Sequence, residues 1–287
     1  QIMAGAALFS ALGLNPTLGA VVLAIVVFIY CSISGMWGVM MTDSIQTVVI
    51  FFSTIACIVF IAMSGGFDAM SAALPETSFE FVPFSGEQLV MMLIPGALNG
   101  LISGAAFQRT ASCKDEKVAF FAPIIAAFAL IPFVVMPVII GMYGKAAFPD
   151  APSASILFEV VLKMNPILAG LMVAAVLSAV MSTMDIGLLN VTANTVNDIY
   201  YKTLNPSASQ KALGRLSAIV TMVSGIIALA LALTSSSILS LLSQTYALMN
   251  AGGLVMVVGG VLWKKGTKEG AIASAFCGMA MILLTKV

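Results

Sequence analysis

Long apolar runs separated by short polar connections set the pattern of this chain. A membrane crossing takes about 20 mostly apolar residues. Runs of that kind predict spans near 18–34, 43–64, 87–107, 117–143, 165–196, 213–234, 237–262 and 268–285, with a partial helix near 1–14. The fold class they imply is all-α, a polytopic integral membrane bundle of eight full spans plus an N-terminal remnant. The 165–196 run, at about 1.5 Å per residue, makes roughly 48 Å of helix. It must tilt or project beyond the bilayer. No connection is long enough for a soluble domain, so 1–287 reads as one transmembrane domain. Both ends are expected to be cuts through a larger membrane domain, and no signal peptide with a cleavage site is visible.

The polar connections carry the orientation. Lys and Arg concentrate on the cytoplasmic side of membrane proteins. Arg109, Lys114 and Lys117 lie in one connection, Lys202, Lys211 and Arg215 in a second, and Lys264, Lys265 and Lys268 in a third. Alternating spans put all three on one side, which is assigned to the cytoplasm. The other side receives Lys145, Lys163 and Lys286 together with Asp68, Glu76, Glu80, Glu87, Asp150 and Glu159.

Composition agrees. Of 287 residues, 61% are apolar and 8% charged, against about 25% charged in soluble domains. The solvent around most of the chain is therefore lipid, and a multi-pass protein of the plasma membrane (the inner membrane in a bacterium) is expected. The 12 basic and 12 acidic residues cancel, which gives no reason to expect a nucleic-acid partner. Histidine, the commonest general base and metal ligand, is absent. The four cysteines form no CxxC pair, so neither a zinc site nor a disulfide framework is indicated.

Ionisable residues within spans mark ion or substrate paths by default. Asp43 opens one span and Asp185 lies inside another. Ser178, Ser182 and Asp185 follow helical spacing and share a face, with Thr183, Asn190, Asn194 and Asn197 forming a second polar stripe beside it. Hydroxyls and a carboxylate are hard oxygen ligands, suited to a hard cation. Alternatively, the hydroxyls bond back to their own helix or hold neighbouring helices. In the 87–107 span, Pro95 precedes the row Gly96, Gly100, Gly104. Such a row serves close helix packing, or, with proline, an opened helix whose freed backbone lines a cavity. Pro123, Pro132 and Pro137 predict kinks in 117–143.

Several segments together resemble the sodium:solute symporter family. Tyr30-Cys31-Ser32-Ile33-Ser34-Gly35-Met36-Trp37-Gly38-Val39 through Thr42-Asp43 to Gln46 is similar to its Tyr…Gly-Gly…Val…Thr-Asp…Gln signature, with Ser34 where the first glycine is common. Gln108-Arg109 with Lys114-Asp115-Glu116-Lys117 resembles its cytoplasmic Gln-Arg loop, and Ala179-Val180-Met181-Ser182-Thr183 its sodium-binding helix. Leu262-Trp263-Lys264-Lys265 and Gly270-Ala271 resemble its late Phe-Trp-Lys-Lys…Gly-Ala stretch. The resemblance implies the inverted-repeat fold shared with leucine transporters, two five-helix repeats of which the first two core helices are missing here. Pro95–Gly104 would be the broken first helix of the second repeat.

The resemblance also implies sites. Sodium would be held by the Ala179 carbonyl and the Ser182 and Thr183 hydroxyls, with carbonyls of the first core helix. Asp43, with Asp185 and Ile186 at the hydroxyl positions of some members, marks a second sodium or the ion's exit path. Gly96, Asn99, Gly100 and Gln244 fall where members line the solute cavity or its inner gate. The expected activity is sodium-coupled symport of a small polar organic solute, with sodium as coupling ion, no cofactor and the lipid bilayer as surroundings. A proton-coupled carrier using Asp185 is the alternative. An intramembrane aspartyl protease would need a Gly-x-Gly-Asp context, which neither Asp43 nor Asp185 has.

Overall fold

The computed structural model describes residues 1–80, 84–151, 156–235 and 238–285, without the side chains of Met92, Pro95, Leu101, Leu239, Ser240, Leu283 and Thr285. Lys286, assigned above to the outer side, lies outside the described residues, as does the Pro95 side chain. In chain order the α-helices are α1 (Ile2–Ala11), α2 (Pro16–Met63), α3 (Gly66–Ala73), α4 (Gly86–Ile102), α5 (Gly104–Ala111), α6 (Glu116–Ala147), α7 (Ile156–Lys163), α8 (Pro166–Ala193), α9 (Gln210–Thr234), α10 (Ile238–Leu262) and α11 (Lys268–Thr285). A 3₁₀ turn covers Glu76–Phe79, and α8 continues as a π-helix over Asn194–Leu204. Among the described residues there is no strand. Helices satisfy every interior backbone group within the segment, which hydrocarbon requires.

Local chemistry starts several of these helices. Asn15 caps α2 by accepting from the Leu18 N–H at 3.0 Å, with Pro16 as the first helical residue. Asn165 does the same for α8, accepting from Ile167 and Leu168 at 3.1 and 3.0 Å ahead of Pro166. A cap oxygen takes up donors that the first turn leaves unpaired, and proline at the start gives up a donor that had no partner anyway. Ser85 and Gln88 form a reciprocal capping box on α4.

The contacts divide the chain into two compact units: Gln1–Phe79 with Glu116–Thr234, and Glu80–Asp115 with Ser235–Val287. The first unit is organised around α8, whose main neighbour is α2. Val27, Phe28, Cys31 and Val39 of α2 pack with Val180, Met184 and Leu188 of α8 in one cluster. Cys57 and Ile61 join Met70, Ile140, Val160, Val161 and Met172 in another. Most remaining large apolar side chains are exposed, among them Phe52, Phe128, Val134 and Ile167. For a chain in lipid, these are the faces that meet acyl chains.

One expectation is modified. The predicted spans 18–34 and 43–64 are joined in the single 48-residue α2, roughly 72 Å if straight. It is not straight, because Gly35 interrupts the helix with φ 60° and ψ −158°. Contacts along α8 reveal the direction of the second half. Tyr30 meets Asp185, while Phe60 and Met63 line the same hollow as Asn165 and Leu168. Straight helix from Tyr30 to Phe60 would cover about 45 Å, but α8 from Leu168 to Asp185 covers only about 26 Å. The second half of α2 therefore runs back along α8, and the two halves are separate crossings. Among the described residues, five helices are long and apolar enough to cross a membrane, or six with the bent pair α4–α5 as one span. The folded α2 supplies one more, and the 18-residue α11 occupies the last predicted span.

In the second unit α10 packs against both α4 and α11. Gly278 lies against the Ala251 backbone and Gly253 against Ile102, the close approaches on which these pairs rest. α6 runs continuously through Pro123, Pro132 and Pro137.

Candidate functional site

The α8 turn holding the predicted ion ligands begins at Ala179. Ser182 Oγ donates to the Ala179 carbonyl at 3.2 Å and Thr183 Oγ1 donates to the same oxygen at 3.1 Å. The back-bonded arrangement foreseen as an alternative is thus present, and it brings all three candidate oxygens together. Each hydroxyl spends its one proton on the carbonyl and keeps its lone pairs. Ala179 and Thr183 are exposed and Ser182 half-buried.

Deeper on the same helix, Asp185 is fully buried, and Tyr30 Oη donates to its Oδ2 at 2.6 Å. The bond ties the first half of α2 to α8. Sequence reasoning did not pair Tyr30 with Asp185. The available signal was a phenol in an apolar run, since a buried tyrosine hydroxyl seeks a partner. The Thr192 and Thr221 hydroxyls bond each other at 2.8 Å between α8 and α9, a second polar fastening that spacing did not reveal.

The solute candidates Gly96, Asn99 and Gly100 share α4, and Gln244 lies on α10, which packs against α4. A Cβ added at Gly96 or Gly100 would meet nothing within 4 Å, so these two do not serve close helix packing in this unit. The helix does open, but not at the proline. α4 runs through Pro95 to Ile102, and the bend of 41° precedes α5, where Ser103 caps the new helix by accepting from the Ala106 N–H at 3.4 Å. The reason is local: a serine that can cap a new helix lies between two glycine-containing turns. Asn99 Nδ2, one turn before the break, is shielded and has no hydrogen-bond partner among the described residues.

A model of the sodium:solute symporter family matches residues 1–278. The chain belongs to that family. Its members are multi-pass membrane transporters, and this chain is a multi-pass integral membrane protein. Among relatives, the sodium/proline symporter of Escherichia coli is 28% identical over 307 residues, covering 99% of this chain and 60% of that protein. The sodium/pantothenate symporter of Haemophilus influenzae is 27% identical over 303 residues, covering 100% of this chain and 62% of that protein. The chain thus spans about 60% of the length of these relatives. A substrate-bound, outward-open sialic acid symporter coupled to Na+ superposes with a TM-score of 0.69 at 19% identity, over 99% of this chain and 71% of that one. The symporter fold anticipated from the sequence motifs is the one this family member has.

Proposed function

We propose that this chain belongs to a carrier that couples entry of sodium to uptake of a small polar organic solute by alternating access. The observation that carries the reading is the convergence of the Ala179 carbonyl with the Ser182 and Thr183 hydroxyls on one partly exposed turn of α8. Three neutral hard oxygens suit a monovalent hard cation and are a poor set for soft metals. Family membership and the sodium-coupled relatives support the same choice. Sodium is here a transported substrate, and no cofactor is invoked.

Asp43 and Asp185 flank the route the ion would take to the cytoplasm. Because Asp185 already accepts from Tyr30, its first role in this proposal is to hold α2 against α8. Gly96, Asn99 and Gly100 of α4 and Gln244 of α10 would face the solute, with the Asn99 amide offering both a donor and an acceptor. Transport, not hydrolysis, is the proposed activity.

The test is uptake by the full-length carrier in vesicles, with sodium replaced by potassium or choline, for proline, pantothenate and sialic acid in turn. Accumulation of one solute that requires sodium supports the proposal. Equal uptake without sodium that tracks an imposed proton gradient would replace it with the proton-coupled alternative.

A further inference from the structure

The polar stripe of Thr183, Asn190, Asn194 and Asn197 remains once the Ala179–Thr183 turn is assigned to sodium. All four lie on α8 and its π continuation, within one compact unit. Thr183, Gly187, Asn190 and Asn194 succeed one another at helical spacing and share a face. Beside Gly187 that face is open, since a Cβ there would meet nothing within 4 Å. Asn190 Oδ1 is shielded from solvent and has no hydrogen-bond partner among the described residues. An amide oxygen shielded from water and left without a donor is destabilising unless a ligand meets it.

From Asn194 the winding changes. Bonding from i to i+5 puts more residues into each turn, so the i+4 neighbour Asp198 stays in line while Asn197 turns away from it. Thr203 Oγ1 donating to the Asp198 carbonyl, five residues back, marks that winding. Asn194 and Asp198 are exposed, and Asp198 pairs with Lys202 at 2.7 Å at the end of the helix nearest a basic connection.

We propose that Asn190 is a relay site for the alkali cation leaving Ser182 and Thr183, receiving it on the amide oxygen about 10 Å further along α8. The proposal rests on the sodium reading of that turn. An amide oxygen is a hard ligand without charge, so it can replace a lost ligand yet release the ion again. Conduction along a path needs sites of that intermediate strength. Asn194 and Asp198 then receive the ion at the exposed end, and Gly187 keeps the intervening turn clear.

The experiment uses the full-length carrier with ²²Na⁺ as probe, measuring equilibrium binding in detergent and entry into proteoliposomes. Asn190→Leu, of similar volume but without the oxygen, is expected to keep sodium affinity within about two-fold while slowing entry about ten-fold or more, within the range that a missing buried partner allows. Asn190→Asp, which restores an oxygen, is expected to recover most of the rate. Asn197→Leu, off the line, is expected to leave both measurements near wild type. Unchanged entry in Asn190→Leu, or equal losses of affinity and entry, would overturn the relay and leave the sodium turn standing. Absence of ²²Na⁺ binding in the wild-type carrier would instead remove the sodium reading and the relay with it.

Discussion

Ser182 and Thr183 each give a proton to one carbonyl, and what they offer outward is lone pairs. In the proposed sodium site, removing either hydroxyl would leave a desolvated ion one ligand short, at a cost of about 1–3 kcal/mol. Ser182→Ala and Thr183→Ala in the full-length carrier are therefore expected to raise the sodium concentration for half-maximal uptake by about 5- to 150-fold, with normal membrane insertion. Sodium titration of uptake reads this directly, and an unchanged dependence in both variants would reject the turn as the site. Tyr30→Phe acts elsewhere. It removes a 2.6 Å donor from the buried Asp185 and should cost about 1–3 kcal/mol of stability, seen as a lower melting temperature in detergent, while equilibrium sodium binding at saturating sodium persists. The oxygen cluster was legible because its three members lie within five consecutive residues. The partner of Asp185 was not, since 155 residues separate it from Tyr30 and only packing brings them together.

Among the elements, α2 shows how far apolar patterning reaches. Its two spans were legible as separate runs, yet their joint is a single residue and no loop. Gly35 has φ 60° with ψ −158°, a region essentially confined to glycine and costing other residues about 1–3 kcal/mol. Gly35→Ala is expected to lower thermal stability by about that amount, whereas Gly100→Ala, where an added Cβ meets nothing, should move it by much less. Comparing the two melting curves checks this, and equal shifts would remove the special role of the joint. The broken helix was likewise visible as a segment, Pro95–Gly104, without the position of the break inside it. Pro95 drew attention because it lacks a donor, yet the backbone opens at Ser103, where a side chain is available to cap the next turn. The short helices α3 and α7 escaped the reading because their 8 residues are too few to stand out by periodicity.

At the scale of the molecule, the orientation proposed from the sequence rests on the basic connections. The clusters at Arg109–Lys117, Lys202–Arg215 and Lys264–Lys268 fall at the same end of alternating crossings. In the full-length protein, Cys113, in the first of these connections and partly exposed, should react with an impermeant maleimide only from the cytoplasm. A cysteine placed at Glu80 should react only from outside. Labelling of intact cells against inside-out vesicles separates the two, and reaction of both from one side would reverse the assignment. Charge bias needs no tertiary contact, so an orientation can be proposed before the fold.

The π-wound end of α8 also bears on how this chain can change in length. Eleven residues from Asn194 to Leu204 carry wider turns than an α-helix of the same rise. Slack of that kind can be taken up. Losing Thr195 would let the stretch rewind as ordinary helix, turning the Asp198–Lys202 pair about the axis while the Ala179–Thr183 turn, more than two turns upstream, keeps its register. This short stretch is therefore where an insertion or deletion can enter the helix without shifting the Ala179–Thr183 turn, and length differences between related carriers are expected to collect here.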